Sequence, residues 1–217
     1  MKLYAHPFAS YCQKVLIALY ENGTPFDYRT IDLGDAEDSA ELAALWPFKR
    51  FPVLVDDGLV LRESSIIVEH LGLRHPGPVQ LIPTDATAAL EVRFMDRFFD
   101  NYVSTPQGRI VFDSIRPAEH RDPYGVTEAQ QMLETAYRWL DQTMADREWA
   151  AGETFSLADC AAAPALFYAD WTHPIDEEFG NVRAYRQRLL ARSSFARAVD
   201  EARPYRPLFP LGAPDRD

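Results

Sequence analysis

The first residues whose types and spacing could do chemistry are Ser10, Tyr11 and Cys12, in the segment 9–14. This segment lies between a predicted strand and a predicted helix, so we expect it at a helix N-terminus. Free backbone N–H groups and the helix dipole favour an anion at such a position. A thiolate is such an anion, and the pKa of a thiol falls there. The segment therefore predicts a place where a thiolate is stabilised.

A second group, at Lys49, Arg50, Phe51, Pro52 and Val53, precedes an Asp-Gly turn between two apolar runs. Proline is accepted in a sheet only at the first position of a strand or at an edge. We therefore predict that a strand begins here and forms a hairpin across the Asp-Gly turn. An arginine beside such a strand can hold a carboxylate through two parallel hydrogen bonds.

A third group is Glu63 and Ser64, which stand directly before an apolar helical run. We predict that Ser64 caps this helix and that the free N–H groups beside it bind a carboxylate. Glu63 would accept hydrogen bonds from an ammonium group. Together the two residues suit a ligand that carries both charges on one carbon.

The elements that position these groups alternate between strand and helix. Apolar residues recur at helical spacing after Ser10, and Gly23 ends that run. Alternating segments and the Asp-Gly hairpin mark the strands. The predicted order is βαβαββα, with strands at 2–5, 26–31, 51–55 and 59–61 and helices at 10–22, 40–45 and 64–73.

A proline-rich stretch at 75–85 is the clearest linker in the chain, and no convincing strand follows it. Helices are predicted at 86–102, where Leu90, Phe94, Phe98 and Tyr102 recur, and at 127–144, 157–168, 182–190 and 195–202. Ser156 and Asp159 are spaced as a capping box. We predict a mixed α/β domain over 1–76, a linker over 77–85, an all-helical domain over 86–203 and an irregular tail over 204–217.

The composition excludes several classes of protein. A net charge of −11 argues against a nucleic-acid-binding surface, and the sequence contains neither of the glycine-rich loops of dehydrogenases and P-loop kinases. The two cysteines, Cys12 and Cys160, lie too far apart to suggest a disulfide framework or a structural zinc site, and no metal is predicted. The chain shows neither a signal peptide nor a membrane span, so we expect a cytoplasmic protein without membrane partners.

The three groups, in their order and spacing, resemble the cytosolic glutathione transferase family over nearly the whole chain. The segment 9–14 is also similar to the Cys-Pro-Tyr-Cys site of glutaredoxins. The resemblance implies a thioredoxin-like N-terminal domain followed by an all-α helical bundle. It further implies glutathione as co-substrate, a homodimer, and a detoxification enzyme that joins the thiol to an apolar electrophile.

The resemblance also implies roles for individual residues. Glu63 and Ser64 would hold the γ-glutamyl end of glutathione, and the backbone of Val53, after a cis Phe51–Pro52 bond, would hold its cysteinyl part. Arg50, or Lys49, would lie near the glycine carboxylate. Ala9 occupies the usual catalytic position, so Ser10 is the candidate activator of the thiol, with Tyr11 and Cys12 as alternatives.

Two further sets of residues follow from the resemblance. Asp96 or Asp100 would reach the glutathione of a neighbouring subunit. The second substrate would lie between the domains, against Phe8, Tyr11, Tyr102, Phe112, Leu166, Tyr168 and Trp171.

Two other functions remain open. One is glutathione-dependent isomerisation or reduction of a disulfide or peroxide, in which Cys12 would have to be exposed. The other is a non-catalytic scaffold that binds glutathione or an apolar ligand, which the alanine at position 9 would suit.

Overall fold

A computed structural model describes the whole chain, Met1–Asp217. The first part follows the predicted order βαβαββα. Its elements are β1 (Lys2–Ala5), α1 (Ser10–Glu21), β2 (Asp27–Thr30), α2 (Ala36–Leu45), β3 (Val53–Asp56), β4 (Leu59–Arg62) and α3 (Ser64–Arg74).

The four strands form one mixed sheet in the order β2-β1-β3-β4. Strands β1 and β2 are parallel, and β3 is antiparallel to both β1 and β4. The hairpin between β3 and β4 turns at Asp57 and Gly58, which both have positive φ angles, as the Asp-Gly pair predicts. This confirms the predicted α/β half with its thioredoxin-like sheet.

The second part is helical, as predicted, and contains no further strand. Its elements are α4 (Ala86–Phe98), a π-helical segment (Phe99–Ser104), α5 (Thr105–Ser114), α6 (Pro123–Thr143), α7 (Leu157–Thr172), α8 (Gly180–Leu190), α9 (Ser193–Ala202) and a 3-10 helix (Arg203–Leu208). Short 3-10 turns occur at Ala118–His120 and Met144–Asp146. None of the helices is both long and apolar enough to cross a membrane.

Two predictions for this part were wrong. No helix was predicted at Thr105–Ser114, where α5 is found with Pro106 in its first turn, a position at which proline is well tolerated. The tail was predicted to be irregular, yet its first residues wind into the 3-10 helix, whose i to i+3 bonds accommodate Pro204 in the first turn.

Helix α4 has two apolar faces. One face packs into the core through Val92 and Met95. On the other face, Leu90 and Phe94 are exposed even though both recur at helical spacing. The apolar periodicity therefore predicts the helix but does not identify which of its two apolar faces packs against the core.

The core runs through both parts of the chain. Helix α7 is almost entirely buried and packs against α1 of the first part as well as against α4. Its N-terminus carries the predicted capping box, in which Asp159 accepts the backbone N–H of Ser156 at 2.9 Å. Because α1 and α7 share one core, the residues that α1 presents are fixed relative to the helical part.

Candidate functional site

A large cleft lies between the two parts of the chain, with a volume of about 1170 Å³. Twelve of the residues singled out from the sequence line it. These are Phe8, Ser10, Tyr11, Lys49, Arg50, Phe51, Pro52, Glu63, Ser64, Asp100, Phe112 and Tyr168.

The N-terminus of α1 opens onto this cleft. Ala9 is the N-cap and makes no side-chain capping bond, and Ser10 is the first helical residue. The backbone carbonyl of Ala9 accepts the N–H groups of Cys12 and Gln13. The N–H groups of Ser10 and Tyr11 therefore have no acceptor within the helix, and they leave a positive helix end beside the cleft.

Tyr11 keeps its phenolic proton at neutral pH. Partial burial raises the pKa of Tyr11 to about 12, and the negative charge of Asp100 acts in the same direction. A neutral phenol is a hydrogen-bond donor that a nearby anion can use. Tyr11 and the hydroxyl of Ser10 are thus the two side-chain donors at this end of the helix.

Cys12, the third candidate in this segment, is turned away from the cleft and fully buried. Burial raises the pKa of its thiol to about 12, and its Sγ accepts the backbone N–H of His6 at 3.5 Å. A thiol in this setting is inert. The structure contradicts a role for Cys12 as an exposed, reactive thiol.

The Phe51–Pro52 peptide bond is cis, as the resemblance implies, but it does not free the backbone of Val53. Val53 is fully buried in β3 and is paired with Tyr4 on one side and with Arg62 on the other. Phe51 instead lies ahead of the strand, lines the cleft, and makes no backbone hydrogen bond within the protein. The backbone available to an extended ligand is that of Phe51, and the strand pairing of Val53 contradicts the expectation that its backbone is free to bind one.

Two cations border the cleft beside this segment. Lys49 and Arg50 are both exposed. Lys49 has a φ of 51° and its Nζ donates to Ser39 Oγ at 3.0 Å. Arg50 makes no ion pair within the chain, so its guanidinium is the more available of the two for a carboxylate.

The N-terminus of α3 differs in detail from the prediction. Glu63 is the N-cap and Ser64 is the first helical residue, so Ser64 does not cap the helix. Glu63 has a φ of 68°, a strained backbone for a residue other than glycine, and makes no capping bond. The first N–H groups of α3 are therefore left uncapped beside an exposed carboxylate, and both line the cleft.

A buried ionic cluster lies directly behind this helix end. Lys14 Nζ is 2.5 Å from Asp96 Oδ1, 2.9 Å from Asp100 Oδ2 and 2.9 Å from Ser65 Oγ. Arg97 completes the cluster through contacts with both aspartates and with Ser65. Burial raises the pKa of Asp100, which Lys14 opposes.

The cluster changes how Asp96 and Asp100 are interpreted. Asp96 is buried and forms ion pairs with Lys14 and Arg97 of its own chain, so its carboxylate is not exposed to a neighbouring subunit. Asp100 borders the cleft of its own chain. Lys14 and Arg97 were missed in the sequence analysis, although a lysine next to the apolar run of α1 was a signal that it must find a buried partner.

The apolar end of the cleft is built by Phe8 and Tyr168. Their ring centroids lie 5.4 Å apart in an edge-to-face arrangement, and the Tyr168 hydroxyl donates to the Phe8 carbonyl at 2.9 Å. The C-terminal segment closes this end with Leu208, Phe209 and Pro210. These three were missed, because no local pattern ties the tail to the cleft.

Three predicted pocket residues do not line the cleft. Leu166 is fully buried in α7, and Trp171 stands behind the wall, packed against Phe209. Tyr102 is half exposed and packs beside Phe98 on the outer side of the helical part. Tyr102 belongs to the π-helical segment after α4, of which Asp100, Asn101 and Ser104 line the cleft instead.

Comparison with known proteins agrees with this architecture. The family model of the glutathione S-transferase N-terminal domain matches residues 3–79, and that of the C-terminal domain matches residues 123–188. A stringent starvation protein A homologue of Coxiella burnetii is 28% identical over 205 residues, which is 93% of this chain and 92% of that protein. A probable glutathione S-transferase of Nicotiana tabacum is 29% identical over 182 residues, 84% of this chain and 75% of that protein.

A solved structure is similar over almost the same span. The glutathione S-transferase of Methylobacillus flagellatus KT, determined with GSH bound, superposes with a TM-score of 0.84 at 29% identity, covering 91% of this chain and 98% of that one. The two family models together match well over half of the chain, on both sides of the cleft. The chain belongs to the glutathione S-transferase family.

Proposed function

We propose that this chain binds glutathione in the cleft and activates its thiol for attack on an apolar electrophile. The observation that carries the proposal is the convergence of three unpaired backbone sites on one cleft, at Ser10, Phe51 and Ser64. A tripeptide with a carboxylate at each end and a thiol in the middle is complementary to these sites. The GSH-bound relative from Methylobacillus flagellatus supports the same ligand.

The γ-glutamyl end is assigned to the N-terminus of α3. Its carboxylate would accept the uncapped N–H groups at Ser64, and its ammonium would pair with the exposed carboxylate of Glu63. The strained backbone of Glu63, with a φ of 68°, is consistent with a residue held for binding. The ionic cluster behind Ser65 would keep this helix end in place.

The middle and the far end of the tripeptide are assigned to the segment before β3. The free N–H and C=O of Phe51 would pair with the cysteinyl unit as an added strand would. Arg50, exposed and without an ion-pair partner, would take the glycine carboxylate, with Lys49 as a second cation. This order brings the thiol to the N-terminus of α1.

The thiol would be activated by hydrogen bonds to its charged form. Such bonds, together with the helix end, favour the thiolate and lower the thiol pKa. Each unit of lowering corresponds to about 1.4 kcal/mol of thiolate stabilisation. Ser10 is the proposed donor, since it is the first residue of α1, and the neutral phenol of Tyr11 is the second. The thiolate then forms a bond to the electrophilic carbon and displaces the leaving group, or adds to an activated double bond.

The second substrate is proposed to lie at the apolar end of the cleft, against Phe8, Phe112 and Tyr168. Aromatic walls of this kind select an apolar or aromatic electrophile.

We also propose that the chain forms a homodimer through the outer face of α4 and α6. Phe94, Phe98 and Trp139 form one aromatic cluster there, with ring centroids 4.5 to 5.8 Å apart. Leu90, Phe94 and Trp139 are exposed on this face. Exposed apolar clusters of this kind mark protein interfaces. Phe94→Asp should shift the protein from dimer to monomer in light scattering. Tyr124→Asp should not, because this exposed aromatic residue stands in the first turn of α6, about 22 Å along the helix from Trp139.

One specific observation favours a second function, that of a non-catalytic glutathione-binding protein. Ala9 provides no hydroxyl or thiol at the usual catalytic position. The burial of Cys12, in contrast, argues against thiol–disulfide exchange through that residue.

Calorimetric titration with glutathione and a conjugation assay with an activated aryl halide separate these functions. The proposal expects saturable binding that Glu63→Gln weakens, whereas the control Glu69→Gln, on the outer surface of α3, leaves it unchanged. Binding together with conjugation supports the enzyme, and binding without conjugation supports the second function. Absence of binding would refute both.

A further inference from the structure

Three side chains with metal-binding groups meet at the opposite end of α3 from the cleft. Asp56 Oδ2 lies 2.8 Å from His70 Nε2 and 2.7 Å from His75 Nε2. One ligand atom from each residue lies within 4.8 Å of the other two. The cluster contains two imidazoles and one carboxylate, a common ligand set of protein-bound zinc.

The fold holds these residues in place through separate elements. Asp56 is the last residue of β3, just before the turn at Asp57 and Gly58. His70 lies within α3 and His75 is the residue that ends it. His70 and His75 lie fourteen and nineteen residues after Asp56 in the sequence, and the packing of α3 on β3 brings them into contact with it. The cluster is therefore built by the fold and is not a chance meeting of neighbouring residues.

The cluster is separate from the proposed glutathione site. Helix α3 presents Ser64 to the cleft and ends at Arg74. With a rise of about 1.5 Å per residue, the two ends of this helix are about 15 Å apart. A ligand at His75 therefore does not touch the groups assigned to glutathione.

The burial of the three side chains suits a bound ion with access from solvent. The Asp56 side chain is 9% exposed and that of His70 is 12% exposed, whereas that of His75 is 31% exposed. The ion would thus be held from the inner side by two ordered ligands and reached past the third. The last backbone carbonyls of α3 add a partial negative charge nearby, which favours a cation.

We propose that Asp56, His70 and His75 bind one Zn²⁺ ion, with a water molecule as the fourth ligand. Zinc binds nitrogen and carboxylate oxygen at about 2.0 to 2.2 Å in a tetrahedral arrangement. Ligand atoms at these distances are about 3.3 Å apart, so the Asp56–histidine distances must widen by about 0.5 Å. Rotation of the partly exposed His75 side chain can widen its own distance to Asp56, and a small rotation of the Asp56 carboxylate can widen the distance to His70.

The protons balance in this step. Each Nε2 atom that now donates to Asp56 must give up its proton to bind the metal. A neutral imidazole then carries its proton on Nδ1, and an imidazolium releases one proton to solvent. The cysteines take no part, because Cys12 and Cys160 are both fully buried elsewhere.

Zinc titration of the tag-free, chelator-treated full chain tests the proposal in the absence of glutathione. We expect one equivalent of Zn²⁺ to bind wild type. Loss of an outer-sphere partner weakens metal binding by about 10- to 100-fold. The variants His75→Gln and His70→Gln/His75→Gln lack direct ligands, so each should weaken zinc binding by more than this. His120→Gln, which removes an exposed histidine in the 3-10 turn before α6, should leave the affinity unchanged.

Cobalt provides a second readout that does not depend on affinity alone. Co²⁺ in a tetrahedral site absorbs visible light strongly, and this spectrum should appear in wild type and disappear in the double variant. His75→Gln removes the most exposed ligand, so its circular dichroism should match wild type and exclude unfolding as the cause. Absence of stoichiometric zinc binding in wild type, or equal affinity in wild type and the folded His75→Gln variant, would overturn the proposal.

Discussion

The ionic cluster behind the N-terminus of α3 makes Lys14 the most informative residue to replace. Its ammonium is almost completely buried and contacts Asp96 and Asp100 directly. Lys14→Met keeps an unbranched, slightly shorter side chain and removes the ammonium, with its charge and its hydrogen bonds to Ser65 and Asp100. The two aspartates would then share Arg97, whose side chain is half exposed.

The size of the effect follows from the charges. Removing one partner of a buried ion pair costs about 3–5 kcal/mol. The protein can limit this loss by protonating one aspartate, which at pH 7 costs about 4 kcal/mol for a carboxyl of ordinary pKa. Because burial raises the pKa of Asp100, that residue would take the proton first. We therefore expect Lys14→Met to lower the free energy of unfolding by about 3–4 kcal/mol at pH 7.

The same reasoning predicts how the loss depends on pH. At pH 5 the cost of protonating an ordinary aspartate falls to about 1.5 kcal/mol. The gap between wild type and Lys14→Met should therefore shrink by about half or more between pH 7 and pH 5. Urea unfolding followed by tryptophan fluorescence at both pH values measures this gap. In a thermal scan at pH 7, the variant should melt ~6–16 °C lower for a chain of this length.

A matched control separates the buried cluster from lysine charge in general. Lys2 pairs with Glu41 at 3.4 Å and is well exposed, so Lys2→Met should cost at most about 1 kcal/mol. If Lys14→Met also costs less than about 1 kcal/mol, or if its cost is the same at pH 5 as at pH 7, the reasoning about the cluster is refuted.

Three further predictions follow from individual contacts. The buried Asp159 carboxylate accepts four hydrogen bonds, so Asp159→Ala should cost about 4 kcal/mol or more in urea unfolding; a loss below about 1 kcal/mol would contradict its capping role. Hydrogen bonds from the Asp32 backbone and from Arg29 lower the pKa of Asp38. Asp38 therefore stabilises the fold above about pH 4 and loses this effect as the pH falls, so the gap between wild type and Asp38→Asn should narrow in acid; a constant gap would be inconsistent. Cys12→Ser should retain conjugation per folded molecule, and loss of turnover with binding intact would restore a chemical role to that thiol.

Much of the fold could be predicted from the sequence because its signals are local. The Asp-Gly turn, the helical spacing after Ser10 and the capping box at Ser156 each depend on a few neighbouring residues. Helix α5 lacks such a signal, since it continues from α4 through a π-helical segment. The choice between the two apolar faces of α4 also needs the tertiary structure, because each face alone is compatible with a core.

The candidate site shows the same division. Glu63 and Ser64 could be found from their position before an apolar helix. Whether Phe51 or Val53 has a free backbone depends on the residue at which β3 begins to pair, Val53. A strand pattern in the sequence leaves that first residue uncertain by one or two positions. Cys12 could have been excluded from sequence, because two residues correspond to about 200° around a helix and place it opposite Ser10. Lys14 and Arg97 belong to one cluster only because both contact Asp96, Asp100 and Ser65, and those contacts depend on the tertiary structure.

The most direct test of the account is the thiol pKa of bound glutathione, measured through the ultraviolet absorbance of the thiolate in wild type, Ser10→Ala and Tyr11→Phe. We predict that the thiol pKa in wild type lies below that of free glutathione, returns toward the free value in Ser10→Ala and changes less in Tyr11→Phe. A lowered pKa that neither variant changes would assign the activation to the helix N-terminus. A bound thiol with the pKa of free glutathione would contradict the proposed activation and leave a glutathione-binding protein.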